Sequence, residues 1–162
     1  MIFAIDPGTS ESAYVIVKDD LSEVVDKGKV TNQDMLSIIN EFTNAYLRKD
    51  WMITARQLVA IEMIQSYGMA VGQETFETCV WIGRFFQVFY TYGFIPEFIY
   101  RKEEKITLCN SMKAKDSNIR QALIDRFGVV GTKKNPGYFY GFKKDIWSAM
   151  AVAVTYHDIY MG

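Results

Sequence analysis

The sequence predicts an α/β protein whose mixed five-stranded sheet is flanked by helices. Two short apolar runs, 2–5 and 58–61, each lead directly into an acid, a pattern typical of buried strands. Two further strand patterns lie close behind the first run and predict a three-strand antiparallel meander. Stretches with apolar residues at helical spacing complete the chain. With 162 residues, 49% of them hydrophobic, the chain suits a single domain over 1–162.

The N-terminal elements form the meander and lead into the first helix. Their predicted bounds are 2–6, 13–17 and 23–30 for the strands and about 35–47 for the apolar positions of the helix. Asp6 ends the first strand, just before a Pro-Gly turn. Thr31 or Asn32 is expected to cap the helix, because both side chains accept hydrogen bonds from free backbone N–H groups.

The remaining elements alternate between strands and helices. Their predicted bounds are a strand at 58–63, a helix at 73–92, a strand at 96–100, a helix at 115–127 and a last helix from 145 to about 160. The segment 105–109 is expected to extend or follow the strand before it. The segment 131–144, rich in glycine, basic and aromatic residues, predicts a mobile loop that contacts nucleic acid. This order of elements describes the ribonuclease H-like arrangement.

The long helix at 73–92 is apolar on nearly every side between 80 and 90. A helix that is apolar all round is buried all round. One face can cover the sheet, and we expect the other to meet a second subunit around Trp81 and Phe85, giving a homodimer. The alternative is a helix sandwiched inside one chain.

Charge is distributed unevenly along the chain. The net charge is −1, but 101–144 holds 11 Lys and Arg against 4 Asp and Glu, an excess of 11 − 4 = +7. Such a segment is typical of a surface that binds a polyanion. Charge alone is equally compatible with an ordinary solvated surface.

Composition excludes several other classes of protein. No apolar stretch is long enough to span a membrane, and the N-terminus lacks a signal-peptide pattern, so a cytoplasmic protein is expected. Cys79 and Cys109 have no metal-ligand spacing and predict reduced core residues. The single histidine, His157, excludes a zinc site built from several histidines.

Three acids stand where the predicted arrangement brings them together. Asp6 ends the first strand, Glu62 ends the fourth, and Asp145 begins the last helix. Clustered carboxylates repel one another unless a cation neutralises them. Oxygen ligands without His or Cys suit Mg²⁺, or Mn²⁺ as a substitute. The set therefore predicts a site for two metal ions that hydrolyses a phosphodiester.

Several segments resemble a known family of nucleases. Residues 2–8, 61–62 and 145–155 resemble the RuvC Holliday junction resolvases. Residues 61–69, 76–84, 111–123 and 133–137 are more similar to the RuvC-like proteins of bacteriophages, which would act in the cytoplasm of a bacterial host. The resemblance implies a homodimeric, magnesium-dependent endonuclease that recognises and cleaves branched DNA.

The resemblance also assigns roles to individual residues. Asp6 would contact both metal ions, with Glu62 and Asp145 each holding one. Lys105 and Lys115, expected to be catalytic, lie where the family keeps basic residues that face the scissile phosphate or the DNA backbone. Tyr67 or Met69 would wedge at the junction centre. The expected DNA-binding residues are Tyr67, Met69, Lys113, Lys115, Arg120, Lys133, Lys134, Lys143 and Lys144.

One position departs from the family pattern. Where the cellular enzymes have a fourth acid, one helical turn beyond the third, this chain has Ser148, whose hydroxyl is expected to face the metal site. This leaves three alternatives. Either three carboxylates suffice to bind two metal ions, or a loop acid such as Asp116 helps, or the second metal ion binds weakly.

Two other functions remain open at this stage. A non-catalytic protein that binds branched DNA would have a degenerate metal site at Ser148. An actin-like ATPase lobe would use the acid, glycine and threonine of 6–9 to bind phosphate, but it needs a second lobe for which this chain has no room.

Overall fold

The computed structural model describes residues 1–47 and 58–162. These residues form five strands and five helices. The strands are β1 Ile2–Asp6, β2 Glu11–Val17, β3 Val24–Thr31, β4 Leu58–Met63 and β5 Glu97–Tyr100. The helices are α1 Asn32–Leu47, α2 Gln73–Thr91, α3 Arg101–Cys109, α4 Asp116–Phe127 and α5 Asp145–Tyr160. None of these helices is long and apolar enough to cross a membrane.

The strands form one mixed sheet in the order β3-β2-β1-β4-β5. β1 and β2 pair antiparallel, as do β2 and β3, whereas β4 pairs in parallel with both β1 and β5. The predicted meander and the two parallel additions are therefore confirmed. The fold class is α/β and ribonuclease H-like.

Both faces of the sheet are covered, because side chains alternate along each strand. Ile2 and Ala4 of β1 pack in a cluster with α5 and α4. Phe3 and Ile5 of the same strand point the other way and pack with α1 and α2. Central strands buried on both faces read as continuous apolar runs, which is how β1 appears in the sequence.

Helix α5 lies directly on the sheet. Every side chain from Ala149 to Tyr156 is buried. Several of these residues are alanine or valine, and small side chains let the helix axis approach the strands closely. This close approach brings the first residue of α5, Asp145, to the edge of the sheet where β1 and β4 end.

Helix α2 shows only one buried face. Its buried residues are Thr78, Ile82, Phe85 and Phe89, which follow helical spacing and pack against the sheet. Phe85 is therefore a core residue of the single chain, and its expected position at a subunit contact is wrong. The outward face carries exposed Phe76, Val80 and Tyr90, while Trp81 is half-buried.

The strand expected at 105–109 is instead the second half of helix α3. The backbone N–H of Tyr100 donates to Glu103 Oε2 over 2.8 Å, which satisfies a free donor where the helix begins. Asn110 adopts a left-handed conformation, with φ of 52°, and ends the helix. The local charged sequence favours this helix over a strand.

The segment 131–144 packs more tightly than its composition predicts. Phe139 and Phe142 are buried, and their rings contact Trp147 of α5 at centroid distances of 4.7 and 5.2 Å. These two aromatic residues therefore belong to the core, although the composition of the segment predicts contact with nucleic acid.

Candidate active site

Asp6 and Glu62 lie side by side at one edge of the sheet. β1 and β4 run in parallel, with Ile5 paired to Ile61, so the next residue on each strand is an acid. The residues before them, Ile5 and Ile61, face α1 and α2, so both acids fall on the α5 face of the sheet. They line one cleft together with Gln65, Tyr67 and Arg101. The first two predicted site residues are thus adjacent.

The turn after Asp6 is held by a buried polar network. The Gly8 N–H donates to Ser12 Oγ over 3.1 Å, and Asn32 Nδ2 donates to the Gly8 carbonyl over 2.9 Å. A Cβ at position 8 would collide with the carbonyl of Glu11. Asn32 is thereby committed to this turn, and Thr31 accepts the backbone N–H of Asp34 at the start of α1.

Burial changes the acid–base behaviour of Asp6. Desolvation, followed by repulsion from Glu62 and a hydrogen bond with it, raises the pKa of Asp6 to about 9. Asp145 and Glu104 add smaller repulsions. At neutral pH the Asp6–Glu62 pair therefore retains a proton, which a bound cation would displace.

Asp145 faces the same region but is paired with a lysine. Lys29 Nζ lies 2.7 Å from Asp145 Oδ2 and 3.9 Å from Glu11 Oε2. The hydrogen bond to Asp145 is the main reason that the pKa of Lys29 is raised. Strand register explains the contact, because Asp6 pairs with Ala13 and Ala13 pairs with Lys29, so all three point to one face.

Glu104 is a fourth acid that the sequence analysis missed. Its side chain is 0% exposed, and Arg101 Nη1 contacts Glu104 Oε2 at 2.9 Å. Burial and then repulsion from Glu62 raise the pKa of Glu104 to about 8, although Arg101 opposes this shift. The acid was missed because the segment beyond Arg101 was not predicted as a helix.

Ser148 borders a second cleft next to the first. This cleft is also lined by Arg101, Asp116, Ser117, Ile119, Arg120, Lys144, Asp145 and Trp147. Arg101 lines both clefts and pairs with Asp116. Asp116, which the sequence offered as a further metal ligand, is therefore paired with the Arg101 guanidinium, and its side chain is 89% exposed.

The predicted DNA-binding residues divide into two groups. Arg120 and Lys144 line the second cleft, with the Arg120 guanidinium 4.5 Å from the Trp147 ring centroid, and Tyr67 lines the first. The others lie on the surface outside both clefts: Met69, Lys113, Lys115, Lys133, Lys134 and Lys143 are exposed, and Lys105 is half-buried. Arg101, which the sequence did not single out as a DNA-binding residue, lines both clefts.

The side chains of the site offer the oxygen ligands that a hard divalent cation prefers. Asp6, Glu62, Asp145 and Glu104 offer carboxylate oxygens, and one oxygen of Glu104 is buried without a hydrogen-bond partner. Within residues 1–47 and 58–162, however, no three His, Cys, Asp or Glu side chains are already gathered into a metal-binding group. The carboxylates must move closer to hold an ion, and Lys29 must release Asp145.

Comparisons with known proteins agree with this architecture. No protein-family model matches the sequence, and no curated protein matches it. A solved structure of Thermus thermophilus RuvC in complex with Holliday junction substrate is similar, with a TM-score of 0.61 and 15% sequence identity over 95% of this chain and 90% of that chain. This chain has a RuvC-like fold. A second Thermus thermophilus RuvC structure has the same TM-score and identity, over 95% of this chain and 91% of that chain.

The raised pKa of Asp6 predicts that the metal-free protein loses stability as pH rises. In the unfolded chain Asp6 ionises near 3.8, and in the folded protein near 9. Its contribution is therefore complete below about pH 4 and is lost as pH rises through 9. We expect the Asp6→Asn variant to be the more stable protein at pH 8 to 9, by more than about 1 kcal/mol.

This is measured by urea unfolding with a chelator present at several pH values. The exposed Asp125→Asn variant is the control and should follow the wild type. The pKa of Glu104 is also raised, so Glu104 also makes the free energy of unfolding fall as pH rises. Asp6→Asn should therefore reduce the pH dependence of that free energy without removing it. A wild type whose stability rises between pH 6 and 9 would contradict the assignment.

The Lys29–Asp145 ion pair predicts competition between Lys29 and a divalent cation. Replacing Lys29 by Gln should increase Mn²⁺ affinity, by at most about fivefold, because a partly exposed ion pair contributes up to about 1 kcal/mol. Isothermal titration calorimetry measures this, with Lys27→Gln as the control on the same strand and face. Equal affinities for Lys29→Gln and the wild type would show that Lys29 does not compete.

Proposed function

We propose that this protein is a divalent-metal-dependent endonuclease that cleaves four-way junctions and other branched DNA. The observation that carries the proposal is the pair of adjacent carboxylates, Asp6 and Glu62, on the parallel strand ends of a RuvC-like fold. In a site of this kind, divalent cations stabilise charge on a phosphodiester and lower the pKa of water. Mg²⁺ is the expected ion, and Mn²⁺ a substitute.

Asp6, Glu62 and Asp145 would hold the cations. In the metal-free pair, the proton shared by Asp6 and Glu62 limits the negative charge at the edge of the sheet. Binding of a cation would replace that proton, so the carboxylates become fully ionised when the cation is present. In the hydrolysis itself, a water oxygen forms a bond to phosphorus and one P–O ester bond breaks.

The basic side chains around the clefts would bind the DNA backbone. Arg101, Arg120 and Lys144 line the cleft beside Asp145 and Ser148, and guanidinium groups suit phosphate because they donate two parallel hydrogen bonds. Tyr67, which is 66% exposed beside Asp6 and Glu62, can stack on an unpaired base. The exposed lysines of 101–144 would add sequence-independent attraction.

The proposal includes the finer assignments made from the sequence. Residues 1–162 would form one nuclease domain, of the bacteriophage RuvC type and active in the cytoplasm of a bacterial host. Ser148 would border the metal site and hold a water molecule. Lys105 and Lys115 would act at the DNA backbone, since both lie outside the two clefts.

A second candidate function is non-catalytic binding of branched DNA. It is favoured by the ion pair between Lys29 and Asp145 and by carboxylates that are not yet gathered around an ion. In that case the basic residues would bind the DNA backbone without a metal ion. A cleavage assay separates the two functions.

The nuclease proposal predicts that each of three isosteric variants loses cleavage. Asp6→Asn, Glu62→Gln and Asp145→Asn should each lower Mg²⁺-dependent nicking of a four-way junction by more than about 100-fold, because each removes a metal-binding charge. Junction binding, measured by gel shift in chelator, should persist. The exposed Asp125→Asn variant should cleave like the wild type. Wild-type cleavage by Glu62→Gln would contradict the two-metal assignment, and a wild type that binds but never cuts would favour the second candidate.

We also propose a homodimer through the outward face of α2. Phe76, Val80 and Tyr90 lie along this face and are 59%, 63% and 55% exposed, and contiguous exposed apolar residues often mark a protein contact. Val80→Glu should convert a dimer into a monomer, as measured by sedimentation at micromolar concentration. Val129→Glu, at a valine that is 64% exposed elsewhere, should remain dimeric. A monomeric wild type would contradict the proposal.

A further inference from the structure

Glu104 is a buried carboxylate that the proposed three-acid site does not use. It lies in the first turn of α3, and none of its side-chain surface is exposed. One of its oxygens, Oε2, accepts a hydrogen bond from Arg101. The other, Oε1, is fully buried and has no hydrogen-bond partner among the described residues.

A structural role for the Arg101–Glu104 ion pair does not explain Oε1. Buried polar atoms in folded proteins almost always have a partner, because leaving one unpaired costs about 1–3 kcal/mol and more for a charged group. The ion pair satisfies only one oxygen. An apolar side chain at position 104 would fill the space without this cost, so the carboxylate requires a further explanation.

Strand register places Glu104 beside the other acids. β5 pairs in parallel with β4, with Ile99 opposite Glu62. Helix α3 begins directly after β5, so its first turn stands at the edge of the sheet where Glu62 lies. Arg101, the partner of Glu104, lines the cleft that holds Asp6 and Glu62 as well as the cleft that holds Asp145 and Ser148.

The electrostatic coupling of the acids is consistent with this placement. The charge of Glu104 raises the pKa of Asp6, and the charge of Glu62 is the largest electrostatic influence on Glu104. Groups couple in this way only across short distances. Glu104 and Asp6 therefore both lie close to Glu62, and the three carboxylates repel one another when they are ionised and no cation lies between them.

We propose that Glu104 is a fourth carboxylate ligand of the metal site, binding a divalent cation through Oε1 while Arg101 holds Oε2. This inference rests on the proposed function, since it assumes that Asp6 and Glu62 bind metal. It supplies the negative charge that is missing at Ser148, but from a different helix. Arg101 keeps one oxygen occupied and so leaves the other as the donor to a hard cation.

The test is Mn²⁺ binding to the full chain, measured by isothermal titration calorimetry and by electron paramagnetic resonance. The wild type should bind two ions. Glu104→Gln should bind one of them at least about tenfold more weakly, because it loses a charged ligand. Glu103→Gln is the matched control, since it removes the same charge one residue away and retains the acceptor for the Tyr100 N–H.

Thermal unfolding gives a second readout that does not depend on cleavage. Without metal, Glu104→Gln should unfold at a higher temperature than the wild type, because it removes a carboxylate repelled by its neighbours. Adding Mn²⁺ should then stabilise the variant less than the wild type. A purely structural ion pair would produce the reverse, with a lower unfolding temperature and unchanged Mn²⁺ stabilisation, and that result would overturn the inference.

The outcomes separate this inference from the function on which it rests. If Glu104→Gln binds Mn²⁺ like the wild type while Asp6→Asn loses binding, Glu104 is not a ligand and the proposed function stands. If the wild type binds no divalent cation, both fail. If Glu104→Gln does not fold, as judged by circular dichroism, Glu104→Met fills the same space without a donor oxygen. Wild-type Mn²⁺ affinity in Glu104→Met would equally overturn the inference.

Discussion

The parallel pairing of β1 with β4 is the constraint on which the rest of the site depends. It places two carboxylates on neighbouring strand ends, on the face that α5 covers. Burial and repulsion from Glu62 both favour the protonated form of Asp6 there. The fold thus maintains an arrangement that is unfavourable without a cation. Stored repulsion of this kind is common at functional sites, where structure elsewhere offsets it.

Two basic residues that are distant in the chain, Lys29 and Arg101, lie beside the acids of the site. Lys29 on β3 pairs with Asp145 at the start of α5, and Arg101 pairs with Glu104 and Asp116. Cations therefore surround the acids on two sides. Under the proposed function, Lys29 would release Asp145 to a metal ion, and a DNA phosphate could replace Asp116 at Arg101 Nη2. Under the proposed function, these basic side chains would couple metal binding to DNA binding.

The closeness of α5 to the sheet explains how a helix can complete a strand-end site. Ala149, Ala151 and Ala153 are fully buried, and larger residues there would push the helix away from the strands. Asp145 would then move away from Asp6. The packing of α5 in the core therefore sets the position of Asp145 relative to Asp6. The buried aromatic residues of 131–144 add to this, because Phe139 and Phe142 pack on Trp147, two residues after Asp145.

Local patterns in the sequence predict the sheet, most of the helices and three of the acids of the candidate site. Apolar runs ending in acids are local signals, and they identified Asp6 and Glu62 because strand burial and strand ends are read directly from residue order. The α3 helix was not predicted because the alternating apolar residues at 106 and 108 suit a strand. Its charged first turn favours a helix through a contact between Glu103 and the Tyr100 N–H, which apolar spacing does not reveal.

The partners and the burial of the site residues depend on long-range packing. The Lys29–Asp145 pair joins residues 116 positions apart, and the burial of Glu104 depends on how α3 packs against α5 and the sheet. Which face of α2 meets the sheet also followed from packing, which made Phe85 a core residue. The physical reason is common to all three. A side chain's charge state and partners depend on the surfaces that enclose it, and those surfaces come from elements that are distant in sequence.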